Sequence, residues 1–425
     1  MQAQIRFMLR RMREKLWIKP LFICLLSIAA AFLAQVADKM ELFPKAPEVT
    51  LESIKMLLST ISSSMLVMSV FAVGSMLSAY QSASSAATPR AFMLMLADDV
   101  SQNALSTFIG AFIFSIVAQV ALTNEYYESS GRFALFVMTV FVFALVIFSF
   151  IRWVDRIARL GRLDTIIKKI EDATNDALSR HIKEPTLKAL KAEGRIDGVA
   201  IYAQTIGYIQ RIDVGALQVL ANASDLFIEV ASLPGTFVAP DKPVAYIQSP
   251  QLSFAEEIDT QWISKCFFIG KDRTFDEDPR FGLVVLSEIA SRALSPAVND
   301  PGTAIRIVNA FVRLLSQCAQ NSTQAEQKRV DFDRVSIPEI LLSDMFEDAF
   351  NPIARDGAGA IVVVIRLQKA LSTLADLGGA PMKEAALGRA ILVFAHAENA
   401  LKVSEEIVKL RFVSEFASNR ESRSS

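Results

Sequence analysis

Four long apolar runs dominate the first third of the chain, at 20–37, 56–80, 104–123 and 132–151. Each approaches the ~20 residues that a helix needs to cross a hydrocarbon core of ~30 Å. The fourth, RFALFVMTVFVFALVIFSFI, carries no charge after Arg132 and reads as a spanning helix. Basic residues precede the first run, as in a secretory signal. No small-residue cleavage site follows it, however, and three more runs come after, so it reads as a retained anchor. The pattern predicts a transmembrane domain over 1–151 with four spans.

Beyond 151 the pattern changes. Ile157, Leu160, Leu163, Ile167, Ile170, Thr174 and Ala177 recur at steps of three and four, extending the fourth span as an amphipathic helical stalk over 152–194. Pro185 and Gly194 punctuate its end. Spacing the soluble part from the membrane and bundling with other copies both fit such a stalk. Residues 195–270 read as β-rich, because GYIQRIDV, DLFIEVAS, GTFVAP and PVAYIQ are short β-branched and aromatic runs between turn residues. Gly207-Tyr208-Ile209, Gly235-Thr236-Phe237-Val238 and Pro243-Val244 resemble a barrel-sandwich hybrid of the biotinyl or lipoyl type. Leu233-Pro234-Gly235 stands where the carrier lysine would be, so a structural barrel is expected rather than a swinging-arm carrier.

The remainder, 271–425, reads as mainly helical. Leu283, Leu286, Ala290 and Ala293 form one stripe, and Ile305, Val308, Phe311, Val312 and Leu315 another. Residues 330–341 read as a strand pair or extended connection, and 342–351, 359–376 and 382–412 as helices. The fold class expected is thus an α-helical membrane domain of four transmembrane helices followed by a cytoplasmic α+β domain. That second domain would contain the small β-barrel and a helical C-terminal part.

Composition agrees with this division. Hydrophobic residues make up 52% of the chain and the mean hydropathy is +0.35, too apolar for a uniformly soluble protein. The net charge of -1, from 44 Lys+Arg and 45 Asp+Glu, speaks against nucleic acid as a partner. Its distribution orients the spans. Arg6, Arg10, Arg11, Arg13, Lys15 and Lys19 precede the first span, and Arg152, Arg156, Arg159 and Arg162 follow the fourth. Glu125 and Glu128 stand without a cation in the last connection, so both termini are expected in the cytoplasm. Cys24, Cys266 and Cys318 are far apart, and His181 and His396 are the only histidines, which leaves no disulfide framework, no metal set and no cofactor motif.

Candidate chemistry lies in three places. No ionisable residue occupies the middle of a span, which disfavours proton pumps and ion-coupled carriers. The second span instead offers Ser75, Ser78 and Ser82 on one helix face, suited to close helix packing or to a hydroxyl-lined pore. Thr88 can cap a short helix with Pro89 first, placing Arg90, Asp98 and Asp99 to couple the membrane part to the soluble part, or as solvated loop charges. The densest polar constellation is GKDRTFDEDPRFGLVVLSEIASRALSPAVNDPGTA, with Arg273, Thr274, Asp278, Arg292, Ser295, Asn299, Asp300 and Thr303. Ser295-Pro296 ends one helix and Asp300-Pro301 caps the next, so a corner explains part of it. The rest is either a buried ion network joining barrel to helices or a pocket for a polar or anionic ligand. Asp278 with Asp300 would supply a carboxylate pair to a hydrolase, but no nucleophile-base set or nucleotide loop is readable, and an enzyme is not expected.

RTFDEDPRFGL together with EIASRALSPAVNDPGTA resembles the signature of a family of predicted membrane proteins, domain of unknown function 2254. The resemblance takes in SSAATPRAFMLMLADDVSQNALSTFIGAFIF, GYIQRIDVGAL, PGTFV and EDAFNPIAR. This chain has Glu277-Asp278 where the family pattern has Gln-Asp, and Gly302 where a bulkier residue is usual. The resemblance implies four spans and a cytoplasmic domain in a bacterial inner membrane, and no particular activity. Two functions remain in view. One is a homo-oligomeric channel or transport component in the lipid bilayer, regulated by its cytoplasmic domain, for an unidentified ion or small ligand. The other is a membrane-anchored sensor or scaffold with a polar pocket around the RALSP-NDP motif.

Overall fold

The computed structural model describes residues 17–39, 47, 49–86, 88–91, 99–158, 162–194, 198–248, 260–320 and 330–418. The chain divides into two compact units, Met1–Ile166 and Ile167–Ser425.

Among the described residues the first unit holds four long helices: α1 (Ile18–Lys39), α2 (Leu51–Ala86), α3 (Asp99–Thr123) and α4 (Ser129–Ile157). Each contains a segment long and apolar enough to cross a membrane: Ile18–Gln35, Leu51–Ser82, Val100–Thr123 and Ser129–Ile157. At 36 residues, α2 is about 54 Å long and outreaches the hydrocarbon core. The innermost helix is α3, which touches α1, α2 and α4. Of its span 44% is buried, against 11–28% for the others. Its residues explain the position. Gly110 lets α1 approach so closely that an added Cβ would lie 2.4 Å from Ile23 Cγ2. Phe108 and Phe114 fill the space on either side of Gly110, each fully buried. Tyr127, in the turn before α4, donates its hydroxyl to the Ala31 carbonyl at 2.8 Å and ties that turn to α1. Along α2 the buried positions Ile54, Leu58, Ile61, Met65, Ser69, Ala72 and Met76 recur at three and four, giving a narrow seam. The large exposed residues of α4, among them Phe141, Phe148 and Ile151, make an outward apolar surface fit for lipid.

In the second unit α5 (Leu163–Lys183) carries the expected amphipathic stripe, with Ile167, Ile170, Thr174, Ala177 and Leu178 buried. It does not stand free. Glu171 accepts both nitrogens of Arg313, at 2.6 and 2.9 Å, and Asn175 and Ser179 bond Gln317. These partners follow at four-residue steps, so α5 is zipped along α9 (Pro301–Gln320). Gly282 lets α5 press equally close to α8 (Pro279–Ala293), since a Cβ there would lie 1.8 Å from Thr174 Oγ1.

The strands are β1 (Ala189–Lys191), β2 (Val199–Tyr202), β3 (Gly207–Ile212), β4 (Phe227–Val230), β5 (Phe237–Val238), β6 (Pro243–Gln248), β7 (Phe267–Gly270) and β8 (Phe332–Ile337). They form two sheets with linear orders, β1-β8-β4-β6-β2 and β5-β3-β7. Among the described residues no pairing closes either sheet, so two open sheets stand where one small barrel is expected from the sequence. The physical reason is where the chain spends its residues between strands. Asp213 caps a helix, α6 (Val214–Ala223), by accepting the Ala216 N–H at 3.1 Å, and a short helix, α7 (Thr260–Lys265), precedes β7. β8 then arrives from beyond α9 and inserts between β1 and β4, parallel to both. Ile209, Leu217, Ile228, Val244, Ala245 and Val335 form the core that the two sheets share with α6.

The helical remainder comprises α8, α9, α10 (Leu342–Asp356), α11 (Ile361–Leu377), α12 (Ala380–Ala400) and α13 (Ser404–Ser418). Here α8 packs on α10, α9 on α11, and α12 on both α10 and α11. The last predicted helix is two, because Leu401 turns extended (ψ 134°) after α12. The chain restarts at Ser404-Glu405-Glu406, whose carboxylates favour a helix N-terminus.

Candidate functional site

The segment 271–278, KDRTFDED, is the joint of the second unit. Its groups are bonded to β3, to α5 and to the start of α8. Gln210 of β3 donates to the Asp272 carbonyl at 2.8 Å, and Arg180 of α5 donates to the Asp276 carbonyl at 2.6 Å. Arg273 grips Asp278 through two bonds of 2.7 and 2.9 Å and lies over the Phe281 ring, 5.1 Å from its centroid. Asp278 also accepts the Phe281 N–H at 3.1 Å, so one carboxylate neutralises a guanidinium and caps α8. Its side chain is only 3% exposed. Burial pushes the Asp278 carboxyl up, against the pull of Arg273 and the Phe281 N–H. Gly235 completes the enclosure: at φ +90° a Cβ would lie 2.2 Å from Asp278 Oδ2. The PGT corner before β5 is therefore pressed against the cap of α8. Next along the helix, Arg280 binds Asp348 (2.6 and 3.2 Å) and Asp344 (2.9 Å) of α10.

The sequence constellation separates at this point. Arg273, Thr274 and Asp278 sit ahead of α8, whereas Arg292, Ser295, Asn299, Asp300 and Thr303 lie at or past its other end. Fifteen residues of helix put those ends about 22 Å apart. Asp278 and Asp300 thus cap different helices. The Ser295 carbonyl accepts the Val298 and Asn299 N–H groups, and Asn299 takes a left-handed φ of 49°. Asp300 accepts the Thr303 hydroxyl at 2.6 Å and its N–H at 3.1 Å, which hold the carboxyl below its usual range. Arg292 and Asn299 are exposed, and Asp300 and Thr303 half-buried. What looked like a crowd of eight is one enclosed ion pair and one open helix corner.

An open groove of about 490 Å³ between α8 and α10 escaped the sequence reading. Ser287, Glu288, Ser291, Glu347, Asn351 and Arg355 line it. Its members are scattered over two helices 60 residues apart, which no linear motif reveals. Among the described residues no group of three or more His, Cys, Asp or Glu is placed to hold a metal ion. Burial pushes the Cys266 and Cys318 thiols up to about 11, so neither is an activated nucleophile.

In the membrane unit Ser75 is half-buried, while Ser78 and Ser82 are exposed on α2. Ser59, Ser63 and Gly74 are exposed as well, and with Ser78 they lie outside the buried seam, whereas Ser75 and Ser82 flank it. Ser63 donates to the Ser59 carbonyl at 2.8 Å and Thr60 to the Met56 carbonyl at 2.8 Å, so those hydroxyls are satisfied within the helix. Thr88 caps the turn of 89–91 as expected, accepting the Ala91 N–H at 3.4 Å. Arg90 is exposed there; Asp98 and the side chain of Asp99 lie outside the described residues.

A family model described as predicted membrane protein (DUF2254) matches residues 13–373. Uncharacterized proteins of Mycobacterium bovis and Mycobacterium tuberculosis are each 28% identical over 185 residues, 40% of this chain. The chain covers 33% of the length of each of these relatives. No solved structure matches it. With a match running from ahead of α1 into α11, the chain belongs to the predicted membrane protein family DUF2254.

Proposed function

We propose that the protein is a homo-oligomeric channel or transport component whose path runs between copies along the outer face of α2, with the second unit as its cytoplasmic regulator. The observation that carries this reading is the placement of the α2 serines. Among the described residues the interior of the four-helix unit is filled mainly by Phe108, Phe114, Ile54, Leu58, Leu135 and Trp153, and Ser101, Gln102, Ser106, Ser115 and Thr139 are buried as well. The small and hydroxyl-bearing positions Ser59, Ser63, Gly74, Ser78 and Ser82 are exposed outside that interior. They are interspersed with Val67, Val70 and Leu77, a surface suited to close contact with another helix and to a narrow wet seam. The basic flanks of the first and fourth spans support cytoplasmic termini in a bacterial inner membrane. Reconstitution into proteoliposomes with flux assays for several ions and small solutes tests the reading. Flux of at least one solute is expected; none across the series would overturn it.

A membrane-anchored ligand sensor is the second reading, favoured by the groove between α8 and α10. Ser291, one of its lining residues, directly precedes the RALSP motif in the sequence. Thermal-shift screening of the full chain would support it through a ligand whose stabilisation is lost in Glu347→Gln.

A further inference from the structure

At the joint, one carboxylate is held less completely than its neighbours. Asp278 is bound by Arg273, and Asp344 and Asp348 by Arg280. Glu277 is largely enclosed, with its side chain 28% exposed. It faces Arg211 and the Ile212 N–H from β3, Arg180 from α5, and Asp276 beside it. Arg180 already donates to the Asp276 carbonyl. Arg211 Nε comes within 3.3 Å of Glu277 Oε1 but outside hydrogen-bonding geometry. Both Arg211 Nε and Glu277 Oε2 are buried atoms without a hydrogen-bond partner among the described residues. A carboxylate removed from water needs either well-formed bonds or a proton, and the loose Arg211 pair with the Ile212 N–H and the more distant Arg180 does not offset the burial of this one.

We propose that Glu277 is a proton-operated latch, whose ionisation state sets how tightly segment 271–278 is held against β3 and the end of α5. Protonated, it stays enclosed against β3 at little cost. Ionised, it gains the attraction of Arg211 but carries a burial cost that this attraction does not offset, so the charge favours release of the segment to water against the Gln210 bond to Asp272 and the Arg180 bond to Asp276. Burial pushes the carboxyl up to about 7, against the opposing pull of Arg211, so both states are populated near neutrality. The segment ends in the cap of α8 and is bonded to α5 and β3, so a change in its hold reaches all three elements. The latch does not depend on the channel reading, because its action lies within the second unit.

Hydrogen exchange of the full-length protein in nanodiscs, followed by mass spectrometry of peptides spanning 268–282, reads the latch directly. Rates are corrected for intrinsic exchange and compared from about pH 5.5 to about 8.5. Protection is expected to fall as pH rises to about 7 and to level off above, by roughly threefold or more. Glu277→Gln is expected to flatten the profile, Arg211→Gln to extend the fall to higher pH, and Arg211→Lys to keep the wild-type profile. A wild-type profile without a transition, protection that rises with pH, or a transition that survives in Glu277→Gln overturns the proposal.

Discussion

Asp278 and Asp300 show how two residues of one type and one capping role differ in weight. Asp278 is nearly inaccessible and holds the Arg273 guanidinium, so its loss leaves a part-buried charge unpaired as well as an uncapped helix. Asp300 caps α9 at an open corner. Asp278→Ala is therefore expected to destabilise the chain by about 3 kcal/mol and Asp300→Ala by about 1 kcal/mol, measured by chemical unfolding in detergent. Comparable losses for the two would contradict the distinction. Glu277 gives stability a pH dependence of definite sign. Its folded pKa, about 7, exceeds the ordinary 4.5, so across that interval the folded chain keeps a proton that the unfolded chain has released. Stability contributed by Glu277 thus falls as pH rises from about 4.5 to about 7, by up to about 3 kcal/mol, and is level above. Unfolding midpoints of Glu277→Gln compared with the wild type across that range test it, since the variant lacks this component.

At the scale of elements, what was legible depended on whether the signal was local. The spans are written as contiguous apolar runs, and all four are helices that extend a few residues past those runs. The caps of α8, α9 and the turn after Thr88 follow from Asp-Pro and Thr-Pro pairs, which fix both a side-chain acceptor and a helical φ. The sheets were less legible because β8 pairs with β1 and β4 across more than 100 residues, and no short window contains such a pairing. The break at Leu401 is hidden by continuous apolar spacing, although Ser404-Glu405-Glu406 marks the restart. The ion cluster was read as one group because sequence proximity ignores the length of α8. The partners of α5 were equally out of reach, since the groups that bind it come from α8 and α9. Gly282 is the most sensitive point of that packing. Gly282→Ala is expected to cost about 2 kcal/mol or more, because its Cβ meets Thr174 on a neighbouring backbone that has little room to yield. Thermal unfolding indistinguishable from the wild type would show that α5 is not packed this closely.

For the whole molecule, the membrane unit presents two kinds of outer surface. The face of α4 is made of large apolar side chains, as lipid requires, whereas α2 exposes hydroxyls and a glycine among its valines and leucines. That asymmetry is the basis for assembling copies around α2 and for placing a path there. Ser78 stands at the centre of the claim. The decisive measurement is solute flux through proteoliposomes containing Ser78→Cys, in a chain whose Cys24, Cys266 and Cys318 are replaced by Ala, before and after a charged thiosulfonate reagent. The account predicts flux before modification and a loss of about half or more after it. Flux unchanged by complete modification of position 78 would contradict it.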